Sequence, residues 1–171
     1  MSLDRPPTSL MIGVSACLMG ERTRYDGTDK RDAVVLELAL HFELWAICPE
    51  VGAGLAAPRE PMRLVRAPKG LALRGVTSRA DHTALLEAYV ALHLEEIATR
   101  HLAGFVLKNR SPSCGRAAVP IWDESGAPCG SGAGLYAAAL MRHYPDLPII
   151  EAEDLHNEAR RREFIAAVSR K

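Results

Sequence analysis

Short unbroken apolar runs alternate along this chain with longer stretches of helical spacing. Residues 11–16, MIGVSA, predict a buried strand that ends in small residues, with Cys17 just after it. Polar and glycine-bearing residues then make a loop, and Val34, Val35, Leu38 and Phe42 mark a helix within 30–42. Leu44, Trp45 and Ile47 place a second strand over 43–48, stopped by Pro49. The segment 49–61 carries three prolines and two glycines and reads as loop. Residues 62–66 and 70–74 flank Ala-Pro-Lys and suggest a hairpin. From 78 to 101, Leu85, Leu86, Tyr89, Leu92, Leu94 and Ile97 give a helix with a broad apolar face. A third strand, 104–107, runs into the polar loop KNRSPSCG, and 125–134 is glycine-rich loop. A helix over 135–144, a fourth strand over 148–151 and a basic helix over 155–169 complete the chain.

Strands and helices in alternation, with strands that are apolar throughout, predict a parallel sheet covered on both faces. The expected fold is α/β: a small doubly wound, Rossmann-like sheet with a short β-hairpin insertion. Residues 11–171 are expected to form one domain, preceded by a frayed leader over 1–10.

Composition agrees with a globular domain: 48% hydrophobic and 25% charged residues. A chain of 171 residues buries a core without help from a disulfide or a structural metal, so a metal here would be functional. Lysine plus arginine equals aspartate plus glutamate at 21 each. That balance argues against bulk capture of nucleic acid, which needs many neutralised phosphates. No apolar run approaches the roughly 20 residues of a membrane span, and MSLDRPPTSL lacks the apolar stretch of a secretory signal. A cytoplasmic, reducing setting is expected, with the four cysteines as thiols.

Three of those cysteines follow three different strands: Cys17, Cys48 and Cys114. In a parallel sheet the carboxyl ends share one edge, where ligands of open α/β sheets bind. Distant thiols can therefore converge. There is no C-x₂₋₄-C pair for structural zinc and no C-x-x-C redox pair. Three soft ligands suit an iron–sulfur cluster with one iron left open to act as a Lewis acid. Glu50 shares a loop with Cys48, and Lys108, Asn109, Arg110, Ser111 and Ser113 crowd the approach to Cys114. Arg24, Tyr25, Asp26 and Arg59 lie in neighbouring loops. Cys129 reads as a free thiol or a fourth ligand. Two other readings stand beside this one: a non-catalytic cluster carrier or redox sensor, and a cluster-free module whose glycine loop holds an anion.

VSACLMG with RYDG, then CPEVGAGLAAPREP, LKNRSPSCG and GSGAGLYAAAL together resemble the thiouracil desulfidase (TudS) family of small bacterial proteins, from about Met11 to Leu155. The resemblance implies an oxygen-sensitive [4Fe-4S] cluster on Cys17, Cys48 and Cys114. It implies a catalytic acidic residue at Glu50 and a catalytic serine at Ser111, with Ser113 as the alternative. Lys108, Asn109, Arg110 and Ser113 would bind substrate. The implied reaction is a hydrolase- or lyase-type desulfuration of 2- or 4-thiouracil, or of a related thiolated nucleobase or nucleoside, to uracil.

Overall fold

The computed structural model describes residues 10–171. The expected leader therefore lies, apart from Leu10, outside the described residues. Leu10 itself packs against the core.

Four parallel strands form the central sheet in the order β2-β1-β5-β8: β1 (Met11–Ser15), β2 (Glu43–Ile47), β5 (Gly104–Leu107) and β8 (Ile149–Glu151). All four lie where the apolar runs predict strands. The register aligns Ser15 with Ile47 and Leu107 with Glu151, so the carboxyl ends stand side by side. Because β2 and β5 flank β1 on opposite sides, the strand order reverses at β1, and a crevice opens there. Gly13 makes room at the centre of the sheet: a Cβ there would lie 2.2 Å from the Phe105 ring.

Alternate strand residues feed two cores. Ile12, Val14, Val106 and Ile150 pack with Val35 of α1 (Ala33–Glu37), Leu155 of α5 (Ala152–Leu155) and Phe164 and Val168 of α6 (Glu158–Ser169). Ile47, Phe105 and Leu107 pack on the other face with Leu86, Val90, Leu94 and Ile97 of α3 (Thr83–Arg100) and Leu140 of α4 (Leu135–His143). The basic C-terminal helix is thus two helices. Asn157 starts the second by accepting a hydrogen bond from the Arg160 amide at 3.1 Å. Helix α3 begins five residues later than its pattern suggests, because Asp81 bridges to Arg74 and accepts from the Thr83 amide at 2.9 Å.

Two expectations need correction. The segment after Cys48 is not all loop: Pro49–Gly52 forms a short helix, α2, with Cys48 at its N-cap and Pro49 in its first turn. Proline suits that place because the missing N–H would be unpaired anyway. The hairpin is also half of a second sheet. β3 (Met62–Ala67) and β4 (Gly70–Gly75) join β6 (Val119–Trp122) and β7 (Pro128–Gly132) in the order β4-β3-β6-β7. Leu64, Val119 and Ile121 form the small core of this sheet. Proline and glycine are poor strand formers, so pairing with β3 decides what local propensity hides.

His93 of α3 lies buried between Trp45, Tyr89 and Tyr136, at ring-centroid distances of 5.0, 5.2 and 5.7 Å. Burial lowers its pKa and Arg100 lowers it further, against the opposing pull of Glu96. Well above about pH 6.5 the ring is neutral whether folded or unfolded, and its titration contributes nothing to stability. Below that value the unfolded chain binds the proton first, so stability is lost as the pH falls through the depressed folded value. Between pH 7 and pH 5 the denaturant midpoint is expected to fall more for the wild type than for His93→Phe. Equal falls would remove His93 from the account.

Candidate functional site

Each cysteine leaves the sheet edge by a different local device. After β1 the chain makes a 3₁₀ turn over Ala16–Met19 that carries Cys17. Gly20 closes the turn at φ 97°, a left-handed conformation that glycine adopts without a side-chain penalty. Cys48 caps α2, so Glu50 follows within the first helical turn. Cys114 is held by Ser111, whose Oγ accepts from the Ser113 amide at 3.2 Å and the Cys114 amide at 3.0 Å. Helix α4 docks on this loop: the amides of Leu135, Tyr136 and Ala137 donate to the Pro112 and Ser113 carbonyls at 3.0–3.1 Å. A Cβ on Gly134 would sit 2.5 Å from the Ser113 carbonyl, so the glycine permits this close approach. The amides that an anion would need are already used, which removes the basis of the anion-module reading.

The three devices converge on one cavity of about 310 Å³, lined by Cys17, Cys48 and Cys114 together with Glu50, Lys108, Asn109, Arg110, Ser111 and Ser113. Arg24, Tyr25 and Arg59 also line it. Cys129 does not: it lies exposed on β7 of the second sheet. Among the described residues, no group of three His, Cys, Asp or Glu side chains could hold a single metal ion. The thiols instead surround a space, and that suits a multinuclear cluster whose separate irons each take one thiolate.

Burial pushes the Cys17 thiol up to about 11, and a neighbouring Cys48 thiolate acts the same way, against the positive charges of Lys108 and Arg24. Cys48 and Cys114 are also raised, by burial first. The Thr23 and Ser15 hydroxyls beside them favour the thiolates. An isolated thiolate is thus disfavoured at each position, and a bound cationic metal group would displace the protons.

Glu50 is 8% exposed, and both its carboxylate oxygens accept hydrogen bonds. Its Oε1 accepts from the Ser113 hydroxyl at 2.8 Å, and its Oε2 accepts from Arg59 Nε at 3.0 Å and from Arg59 Nη2. Arg59 also donates to the Thr23 and Ala56 carbonyls, both at 3.0 Å, which ties the Cys17 loop to the Cys48 loop. The two serines therefore differ in use: Ser113 serves Glu50, whereas Ser111 holds backbone. Lys108 Nζ donates to Asn109 O at 2.9 Å and Oδ1 at 3.2 Å, while the Asn109 amide nitrogen donates to Glu153 at 3.0 Å. Arg110 adopts φ 61°, a conformation most side chains avoid. Sequence reasoning missed Ser15 and Thr23. Their only signal is position, within a few residues of Cys17.

Fold and cavity define an α/β protein with a three-cysteine site at its sheet edge. The chain belongs to the 2-thiouracil desulfurase family, whose model matches residues 12–152. Among solved structures it is similar to the [4Fe-4S]-dependent thiouracil desulfidase TudS. Identity is 30%, with 95% of this chain and 99% of that one covered at a TM-score of 0.73. The chain is also 30% identical over 137 residues to YbbK of Bacillus subtilis (strain 168), an uncharacterized protein, covering 77% of this chain and 90% of that one. No helix among the described residues is long and apolar enough to cross a membrane.

Proposed function

We propose that this protein is a desulfidase that hydrolyses the carbon–sulfur bond of a thiolated pyrimidine, 2- or 4-thiouracil or a close relative, with a [4Fe-4S] cluster on Cys17, Cys48 and Cys114. The observation that carries this reading is the convergence of three thiols and a buried carboxylate on one cavity. When bound, the cluster supplies an iron without a protein thiolate, which polarises the substrate's sulfur as a Lewis acid.

The chain's own residues do the rest. Glu50 is aimed by Arg59 and Ser113. A carboxylate oxygen has two acceptor positions, so Oε1 keeps one for a water. Glu50 takes a proton from that water as its oxygen attacks the ring carbon, and passes it toward the departing sulfur. One water enters, the thiocarbonyl becomes a carbonyl, and hydrogen sulfide leaves. Lys108 and Arg24 supply positive charge beside Cys17, where thiolates and the leaving sulfur add negative charge. Arg110 and Ser111 line the remaining wall and orient the ring.

Anaerobic reconstitution with iron and sulfide is expected to give a brown protein that releases uracil from 2- or 4-thiouracil. A brown protein inactive on every thiolated pyrimidine tested would leave only the carrier reading. The serines separate as well. Ser113→Ala is expected to lower turnover about tenfold or more, the worth of a hydrogen bond to a charged group, and to cost roughly 1–3 kcal/mol of stability, since the buried Glu50 carboxylate loses a donor. Ser111→Ala is expected to lose about 1 kcal/mol or more of stability, because two amides lose their acceptor. Unchanged turnover in Ser113→Ala would transfer the catalytic assignment to Ser111.

A further inference from the structure

A tight turn, Arg24–Gly27, stands at the rim of the cysteine cavity, and its Tyr25 takes no part in the steps above. The Gly27 amide donates to the Arg24 carbonyl at 2.9 Å and closes the turn, with Gly27 at φ 72°. Asp26 Oδ1 accepts from the Thr28 amide at 3.1 Å and from the Thr28 hydroxyl at 2.6 Å, the local bonding that aspartate brings to turns. From outside the turn, the Arg59 amide donates to the Tyr25 carbonyl at 2.7 Å. Arg59 is also the residue whose side chain holds Glu50. The backbone of Tyr25 is thereby fixed with respect to the buried carboxylate.

Among the described residues that line the cavity, Tyr25 carries the one aromatic ring. It is 40% exposed. Single exposed apolar side chains are ordinary on a protein surface. Leu40, Val51, Val76, Leu85 and Leu92 are of that kind, and none of them lines the cavity. Tyr25 differs, because a braced turn holds its ring at the entrance to a site. The Arg24 guanidinium lies 5.5 Å from the centre of that ring and lines the cavity as well. A phenol and a guanidinium are both planar groups on which free nucleobases stack. The other walls are thiols, hydroxyls, prolines, aliphatic side chains and polar or charged groups, and none offers an aromatic face.

We propose that Tyr25 is a substrate-binding residue, its ring stacking on the flat face of the thiolated pyrimidine while the substrate's sulfur is turned toward the three cysteines. This deepens the desulfidase reading above and rests on it. Every pyrimidine has a π face whatever its edge substituents, so stacking grips the ring without reading the position of the sulfur. The braced turn leaves the Tyr25 backbone little freedom to lose when substrate enters, which favours binding. Stacking acts alike on the bound substrate and on the transition state, so it belongs in KM rather than in kcat.

The test is steady-state kinetics of Tyr25→Ala and Tyr25→Phe beside the wild type, all reconstituted anaerobically and assayed with 2- and 4-thiouracil. Tyr25→Ala is expected to load as much iron as the wild type and to melt close to it, since the side chain is exposed. Its KM should rise roughly tenfold, within the worth of one stacked base, with kcat changing much less. Inhibition by uracil should weaken in step, because the product keeps the flat ring. Tyr25→Phe, which keeps the ring and loses the hydroxyl, should restore most of the affinity. An unchanged KM in Tyr25→Ala would overturn the proposal. So would a fall in kcat and iron content at constant KM, which would make the turn a purely structural support. A Tyr25→Phe variant as weak as Tyr25→Ala would assign binding to the hydroxyl and overturn stacking. A cluster-loaded wild type inert on every thiolated pyrimidine would overturn the desulfidase reading itself, a failure visible before any variant is made.

Discussion

Cys48→Ala, reconstituted anaerobically with iron and sulfide, is expected to hold less than one full cluster per chain and to release no uracil above background. Cys48 is the informative choice among the three cysteines. Cys17 and Cys114 are buried in the two cores, so their replacement also disturbs packing. Cys48 is only partly buried and sits at the cap of the short helix α2. Its loss removes one soft ligand and leaves the fold intact. The activity lost should exceed the roughly 10–100-fold typical of removing an outer-shell partner of a metal ligand. Iron content, visible absorption and melting temperature measured together check the result. A full iron complement in Cys48→Ala would strike this residue from the ligand set.

Glu50→Gln is expected to keep the cluster, lose turnover by roughly 10²–10⁴-fold and lose stability as well. Two separate effects are involved. The amide cannot take a proton from water, which removes the general base. It also leaves Arg59 as a cation without its counter-charge, in a pair whose side chains are only 11% and 10% exposed. Breaking a buried pair by removing one partner costs about 3–5 kcal/mol. The double variant Glu50→Gln/Arg59→Met is expected to recover much of the stability and none of the activity, since it removes the unpaired charge without restoring the base. Kinetics and denaturant unfolding of both variants test this. Near-normal turnover in cluster-loaded Glu50→Gln would remove Glu50 as the base.

Much of this protein could be read directly from residue order. The four central strands are short, mostly apolar and without alternation, a pattern that favours a parallel sheet covered on both faces. With parallel pairing, that alone brings residues following Ser15, Ile47 and Leu107 to one edge. Three cysteines separated by long stretches of chain were for this reason legible as neighbours. Their convergence on one cavity agrees with that expectation.

Tertiary structure decided the rest, because it depends on contacts that no local pattern encodes. The strands Val119–Trp122 and Pro128–Gly132 contain proline and glycine and exist through pairing with β3 and each other. Glycine at 134 looked suited to an anion but serves to admit the Ser113 carbonyl. Ser111 and Ser113 are two residues apart with the same side chain. Only their surroundings direct one hydroxyl to the Cys114 backbone and the other to Glu50. Residue order indicated which thiols meet, since each strand's apolar pattern is local and the alternation of strands and helices implies a parallel sheet with its carboxyl ends on one edge. What each neighbouring polar group does was settled by the fold, since a hydroxyl or guanidinium takes its role from the partner that packing brings within about 3 Å.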